Sequence, residues 1–125
     1  MNEPVHVTDE AFEKTILQSE VPVIVDFWAP WCGPCRSFAP VYDKVSADFD
    51  DIVFAKVNTE VEQEIAAHFQ IRSIPTLMIF RDQIIIFSQP DALPESHFRD
   101  LLGKAKALDM AEVKRQIAEQ RTGTA

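Results

Sequence analysis

The feature that most constrains this chain is an apolar run, residues 21–28, that leads almost at once into Trp31-Cys32-Gly33-Pro34-Cys35. The run is short and β-branched, the pattern of a strand covered on both faces. After Cys35, the residues Phe38, Val41, Tyr42, Val45 and Phe49 recur at helical spacing, so a helix is expected to about Phe49, kinked at Pro40. Both cysteines of the chain thus stand where a buried strand gives way to a long helix. A helix N-terminus offers unpaired N–H groups and a positive dipole end, which favour a thiolate over a thiol. Cys32, just ahead of the first turn, is expected to be the attacking sulfur, with a solvent-facing side. Cys35, one turn on and more enclosed, can reach Cys32 but not solvent. Pro34 in the first turn costs no hydrogen bond and stiffens the loop.

The rest of the chain alternates in the same way. Residues 52–57 form a second apolar stretch, and strand–helix–strand of this kind implies a parallel pair with a right-handed crossover. Upstream, residues 5–7 read as a short strand. Thr8 suits a helix N-cap with Asp9 and Glu10 in the first turn, and Phe12, Ile16 and Leu17 make an apolar stripe. Residues 60–69 read as a helix with Val61, Ile65 and Phe69 on one face, and Glu60, Glu62 and Glu64 on a solvated one. Residues 76–80 and 84–87, separated by Arg81-Asp82-Gln83, imply an antiparallel hairpin. A helix over 95–108 turns Phe98, Leu101, Leu102 and Ala105 inward; Asp109 and Glu112 then cap one more short helix bearing Val113 and Ile117, with 121–125 frayed. The order β-α-β-α-β-α-β-β-α predicts an α/β domain over 1–108, a mixed sheet with helices on both faces, and a short helical tail over 109–125.

Charge narrows the partners. The net charge of −8 repels phosphate backbones, which argues against nucleic acid and anionic membrane surfaces. It is unevenly spread, about −10 over 1–102 and +2 over 103–125, which sets the tail apart from the domain. No apolar run approaches the roughly 20 residues that span a bilayer, and Met1-Asn2-Glu3-Pro4 has neither the basic nor the apolar part of a secretory leader. A cytoplasmic location is the resulting expectation. In that reducing compartment a close cysteine pair is redox-active or metal-binding more often than it is a permanent staple. A closed zinc site needs four ligands, and His6, His68 and His97 lie in unrelated elements, so no metal is expected.

Asp26-Phe27-Trp28-Ala29, then Trp31-Cys32-Gly33-Pro34-Cys35, Pro40 and Ile74-Pro75-Thr76 together resemble the thioredoxin family over roughly residues 5–102. That resemblance implies the thioredoxin fold and a protein-disulfide reductase. Cys32 would attack a target disulfide and Cys35 would resolve the mixed disulfide. It implies a cis Pro75 against the cysteines, with the Ile74 backbone open to a substrate strand; Trp31, Gly33 and Pro34 would form the rim. Asp26 would be a buried carboxylate that moves a proton to or from Cys35, with Lys56 as its buried basic neighbour. A structural Asp26–Lys56 ion pair is the competing reading. No cofactor beyond the dithiol is implied: any flavin or NADPH belongs to a reductase partner, and the other partners are disulfide-containing proteins met by a monomer.

Two departures from the family pattern bear on partners. The turn between the last two strands lacks its usual glycine, although Asp tolerates a left-handed position at some cost. The Val-Gly that usually precedes the final helix is Pro90-Asp91, which should narrow the substrate groove and disfavour acidic targets. Two rivals to the reductase reading stay open at this point. One is a binding module or co-chaperone subunit using the same groove; the other is an isomerase or oxidant.

Overall fold

The computed structural model describes residues 2–123. Five strands form one sheet: β1 (Val5–His6), β2 (Val23–Trp28), β3 (Val53–Asn58), β4 (Thr76–Arg81) and β5 (Ile84–Pro90). Their order is β1-β3-β2-β4-β5, parallel across β1, β3 and β2 and antiparallel from β2 to β4 and β5. Among the described residues, four α-helices accompany the sheet: α1 (Gly33–Ser46), α2 (Gln63–His68), α3 (Glu95–Ala107) and α4 (Met110–Gly123). This is the mixed sheet flanked by helices that the sequence implied.

β2 is buried on both sides because it stands at the centre. Ile24 packs with Tyr42, Phe54, Leu77 and Phe98 in the layer shared with α1 and α3. Val23, Val25 and Phe27 face the other layer, with Ile65 and Phe80. Alternation along the strand puts Asp26 on the α1 side with Ile24.

Several boundaries differ from the expectation. Thr8 Oγ1 does accept the N–H of Ala11 at 3.1 Å, but the following segment winds only into a π-helical turn over Glu13–Leu17. Asp9 does not serve that segment. Its carboxylate accepts the N–H groups of Glu64 and Ile65, capping α2 from across the fold. Helix α2 starts three residues later than expected because residues 58–62 form a turn in which Asn58 Oδ1 accepts the N–H of Glu60. Val61 is therefore 67% exposed rather than part of an apolar face.

The hairpin loop is two residues, not three. Arg81 pairs with Ile84, while Asp82 and Gln83 both take positive φ (54° and 66°), the geometry that matches strand twist. Strand β5 also runs three residues further than read, with Pro90 opposite Thr76. Beyond it, Arg81 reaches out of β4 and donates to the carbonyls of Ala105, Lys106 and Leu108, closing the end of α3. Asp109 Oδ1 then caps α4 through the N–H of Glu112 at 3.2 Å. Helix α4 is 14 residues long and reaches Gly123, so the part of the expected frayed end that is described is helical; 124–125 lie outside the described residues. It docks through buried Met110 and through Lys114, 3.2 Å from Asp82 at the hairpin.

Candidate functional site

Strand β2 delivers the chain to the cysteines and α1 takes it away. The N–H of Cys32 donates to Ala29 at 3.2 Å, turning the chain, and Cys32 then stands as the N-cap of α1 in extended conformation. Its Sγ accepts the N–H of Cys35 at 3.2 Å. Cys32 and Cys35 are joined as a disulfide with their Cα atoms 5.2 Å apart. The expected difference in exposure is not what separates the two sulfurs: Cys32 is 5% exposed and Cys35 3%. What separates them is the helix end. Cys32 Sγ, at the N-cap, accepts a backbone N–H of the first turn, a contact that can stabilise negative charge on sulfur.

The surroundings keep the surface over the disulfide low. A Cβ built at Gly33 meets nothing within 4 Å, so this glycine is not required by packing within the chain and leaves open space above the pair. Pro34 is exposed beside it. The Ile74–Pro75 bond is cis, Pro75 is buried, and the Ile74 carbonyl oxygen lies 3.7 Å from Cys32 Sγ. Pro75 O in turn accepts the N–H of Asp91 at 2.8 Å, so Pro90 and Asp91 lie directly beside the cis-proline loop. Asp91 has φ 81°, a conformation that suits glycine and strains other residues. Trp31 is 64% exposed, and its indole N–H donates to Glu60, which the glutamate pattern had placed on a plain solvated face.

Earlier on β2, Asp26 is 1% exposed and neither carboxylate oxygen has a hydrogen-bond partner. Burial raises its pKa to about 7, against a smaller lowering by the charge of Lys56. Lys56 sits opposite Asp26 in the β2–β3 register. It is half-buried rather than buried, and its Nζ lies 4.9 Å over the Trp28 ring. No Asp26–Lys56 hydrogen bond is present among the described residues, and the two interact through charge alone.

Tyr42 was not singled out from sequence, where it reads as one more core position. Its hydroxyl lies between the carbonyls of Ile24 (3.0 Å) and Ala55 (2.7 Å), pinning the two strands that carry Asp26 and Lys56. Burial first, and the charge of Asp26 second, push its pKa well above the ordinary phenol value. No group of three or more His, Cys, Asp or Glu that could hold a metal occurs among the described residues, and no described helix is long and apolar enough to cross a membrane.

A family model described as thioredoxin matches residues 3–104. The chain is 50% identical over 120 residues to a putative thioredoxin 2 of Streptomyces coelicolor, covering 96% of this chain and 89% of that protein. It is 46% identical over 99 residues to thioredoxin 1 of Synechococcus elongatus (78% and 92%), and 36% identical over 105 residues to a thioredoxin of Haemophilus influenzae (83% and 98%). The Streptomyces match leaves few residues out and so runs through α4. With its Trp-Cys-Gly-Pro-Cys spacing at the head of α1, the chain belongs to the thioredoxin family of thiol-disulfide oxidoreductases.

Proposed function

We propose that this protein reduces disulfides in cytoplasmic proteins as a monomer, cycling between a Cys32/Cys35 dithiol and the disulfide seen here. The observation that carries the order of events is the 3.2 Å contact from the Cys35 N–H to Cys32 Sγ. It supports Cys32 as the thiolate. In the first step Cys32 attacks one sulfur of the target, forming the mixed disulfide, and the other target sulfur leaves with the electron pair and takes a proton from water. In the second, the Cys35 thiol passes its proton to the Asp26 carboxylate and attacks Cys32 Sγ. The Cys32–Cys35 bond forms, the bond to the target breaks, and the second target sulfur leaves reduced.

The remaining residues have supporting roles in this reading. Trp31, Gly33, Pro34, Ile74, Pro75, Pro90 and Asp91 line the face that receives the target strand. Lys56 moderates the charge of Asp26. Gly33-Pro34 between the cysteines supports the reducing end of the family over an isomerase or oxidant. The dithiol serves as the redox group with no bound cofactor, and a thioredoxin reductase, the family's usual partner, restores it. Nucleic acid and membrane surfaces are not among its partners, in keeping with the net charge of −8. No feature of the site favours the binding-module reading.

A Cys35→Ser variant tests the assignment directly. It should stall as a mixed disulfide on Cys32, recoverable with its targets from a cell extract, while the parent turns over with reductase and NADPH on insulin. A Cys35→Ser protein that accumulates no mixed disulfide would overturn the order of attack.

A further inference from the structure

Asp26, Lys56 and His6 stand abreast across three strands. Asp26 is opposite Lys56 in the β2–β3 register, and Lys56 is opposite His6 in the β1–β3 register. Partners directly across adjacent strands share a face, so the three side chains form a row about 10 Å long, two strand spacings. One end of the row is sealed and the other is open: Asp26 is 1% exposed and unpartnered, Lys56 is half-buried, and His6 is exposed at the sheet edge.

Two clefts open at that edge, of about 320 and 440 Å³, and His6 and Lys56 line both. The larger is walled mainly by polar groups, Glu3, Asp43, His6 and Lys56, and its volume suits several water molecules. Neither cleft is lined by Cys32, Cys35, Trp31, Ile74 or Pro75. Trp28 lines the smaller cleft with His6 and Lys56, the Lys56 Nζ lying over its ring and the His6 ring against it at 5.9 Å.

We infer that Asp26 exchanges its proton with solvent along this row, past Lys56 to His6, through a mouth separate from the face that receives the target. The inference rests on the proposed role of Asp26 as acceptor of the Cys35 proton. A target joined to Cys32 covers the cysteine face during resolution, so a proton left on Asp26 must depart by another side. Among the described residues no side chain hydrogen-bonds Asp26, and Lys56 is its cross-strand neighbour on β3.

The charged groups around the row favour outward transfer. Glu3 and Asp43 face Lys56 and His6 in one cleft and Glu62 faces them in the other, while Tyr42 from α1 is the group on the sealed side. Lys56, with its amine donors, is the polar side chain next along the row from the carboxylate. His6 has both a donor and an acceptor nitrogen, so it can take a proton on one side and release one on the other. The sequence of transfers is balanced: the Cys35 proton goes to Asp26, from Asp26 to water at Lys56, and from there through the imidazole to bulk buffer.

The test is single-turnover reduction of insulin by the full-length reduced protein in weak buffer at pH 7, with free imidazole as the added proton carrier. His6→Ala should slow the step that resolves the mixed disulfide about five- to tenfold, less than the 10²–10⁴ expected when a direct acid–base group is lost. Imidazole should restore it. His6→Phe should be slowed and not restored, because its ring fills the mouth. Alkylation of Cys32 by a small reagent should be unchanged in both. Asp26→Asn should be slow and indifferent to imidazole. If His6→Ala resolves at the parental rate while Asp26→Asn is slow, the relay stands and the route is wrong. If Asp26→Asn itself resolves at the parental rate, the relay reading falls and takes the route with it. Equal acceleration of His6→Ala and Asp26→Asn by imidazole also overturns the route.

Discussion

The N–H of Asp91 donates to the carbonyl oxygen of Pro75 at 2.8 Å, which fastens the exit of the last strand to the loop lying on the disulfide. The residue holding that position has φ 81°. For an L-residue with a side chain such a conformation costs roughly 1–2 kcal/mol, a cost glycine does not bear.

Asp91→Gly should therefore stabilise the fold by about 1 kcal/mol, read as a higher urea midpoint at unchanged slope. Combined with Pro90→Val, it should also speed reduction of acidic protein targets while the alkylation rate of Cys32 stays the same. Equal rates for parent and double variant on a panel of acidic and basic disulfide proteins would remove these positions from the groove.

Stability should fall with pH because of Asp26. Its folded-state pKa is raised to about 7, from an ordinary value of 3.8, so the folded protein holds the proton more tightly than the unfolded chain. The stabilisation is complete below about pH 4, is lost progressively between about 4 and 7, and levels off above that; its full size is at most about 4 kcal/mol. Asp26→Asn should remove this slope. Urea titrations should show the variant close to the parent near pH 4 and clearly more stable at pH 8. A parental slope in the variant would assign the pH dependence elsewhere.

Alkylation of the reduced protein should place the first adduct on Cys32. Mass mapping at low reagent excess measures this, and the rate should rise with pH as the thiolate forms. First modification at Cys35 would mean that the helix end does not select the nucleophile.

Helix α4 should prove separable from the chemistry. Removing residues 109–125 uncovers the site of Met110 and deletes the Lys114–Asp82 pair, while the three Arg81 bonds to residues 105–108 remain. The expected loss is about 2–3 kcal/mol, nearly all from the apolar side chain, since the exposed ion pair contributes little. Insulin reduction should continue at the parental rate at 25 °C. A truncated chain that does not fold would make the tail part of the domain.

The strands and the cysteine centre were readable because each is written locally. A continuous apolar run marks a strand with two covered faces, a carboxylate inside that run stands out, and Cys-Gly-Pro-Cys beside a helical period places sulfur at a helix start. Features that depend on distant side chains were not readable. Asp9 caps a helix 55 residues away, so the 3.6 period carried on through Val61 without any sign that the helix begins later. Glu60 looked like a solvated position because its partner, Trp31, lies on another loop. Lys56 looked buried among apolar neighbours, but its long stem carries the ammonium out over Trp28. Tyr42 is distinguished only by the two carbonyls its hydroxyl meets, which no spacing announces.

The strand order has a consequence for synthesis. Strand β2 needs β3 on one side and β4 on the other, and the cis-proline loop comes just before β4. A ribosome adding roughly 5–20 residues per second completes Cys35 several seconds before it completes β4, about 46 residues later. For that interval the nascent chain has its two thiols but not the loop that will lie over them. Premature oxidation is then governed by the surrounding thiol buffer rather than by the fold, and slowing translation between these points lengthens the exposure.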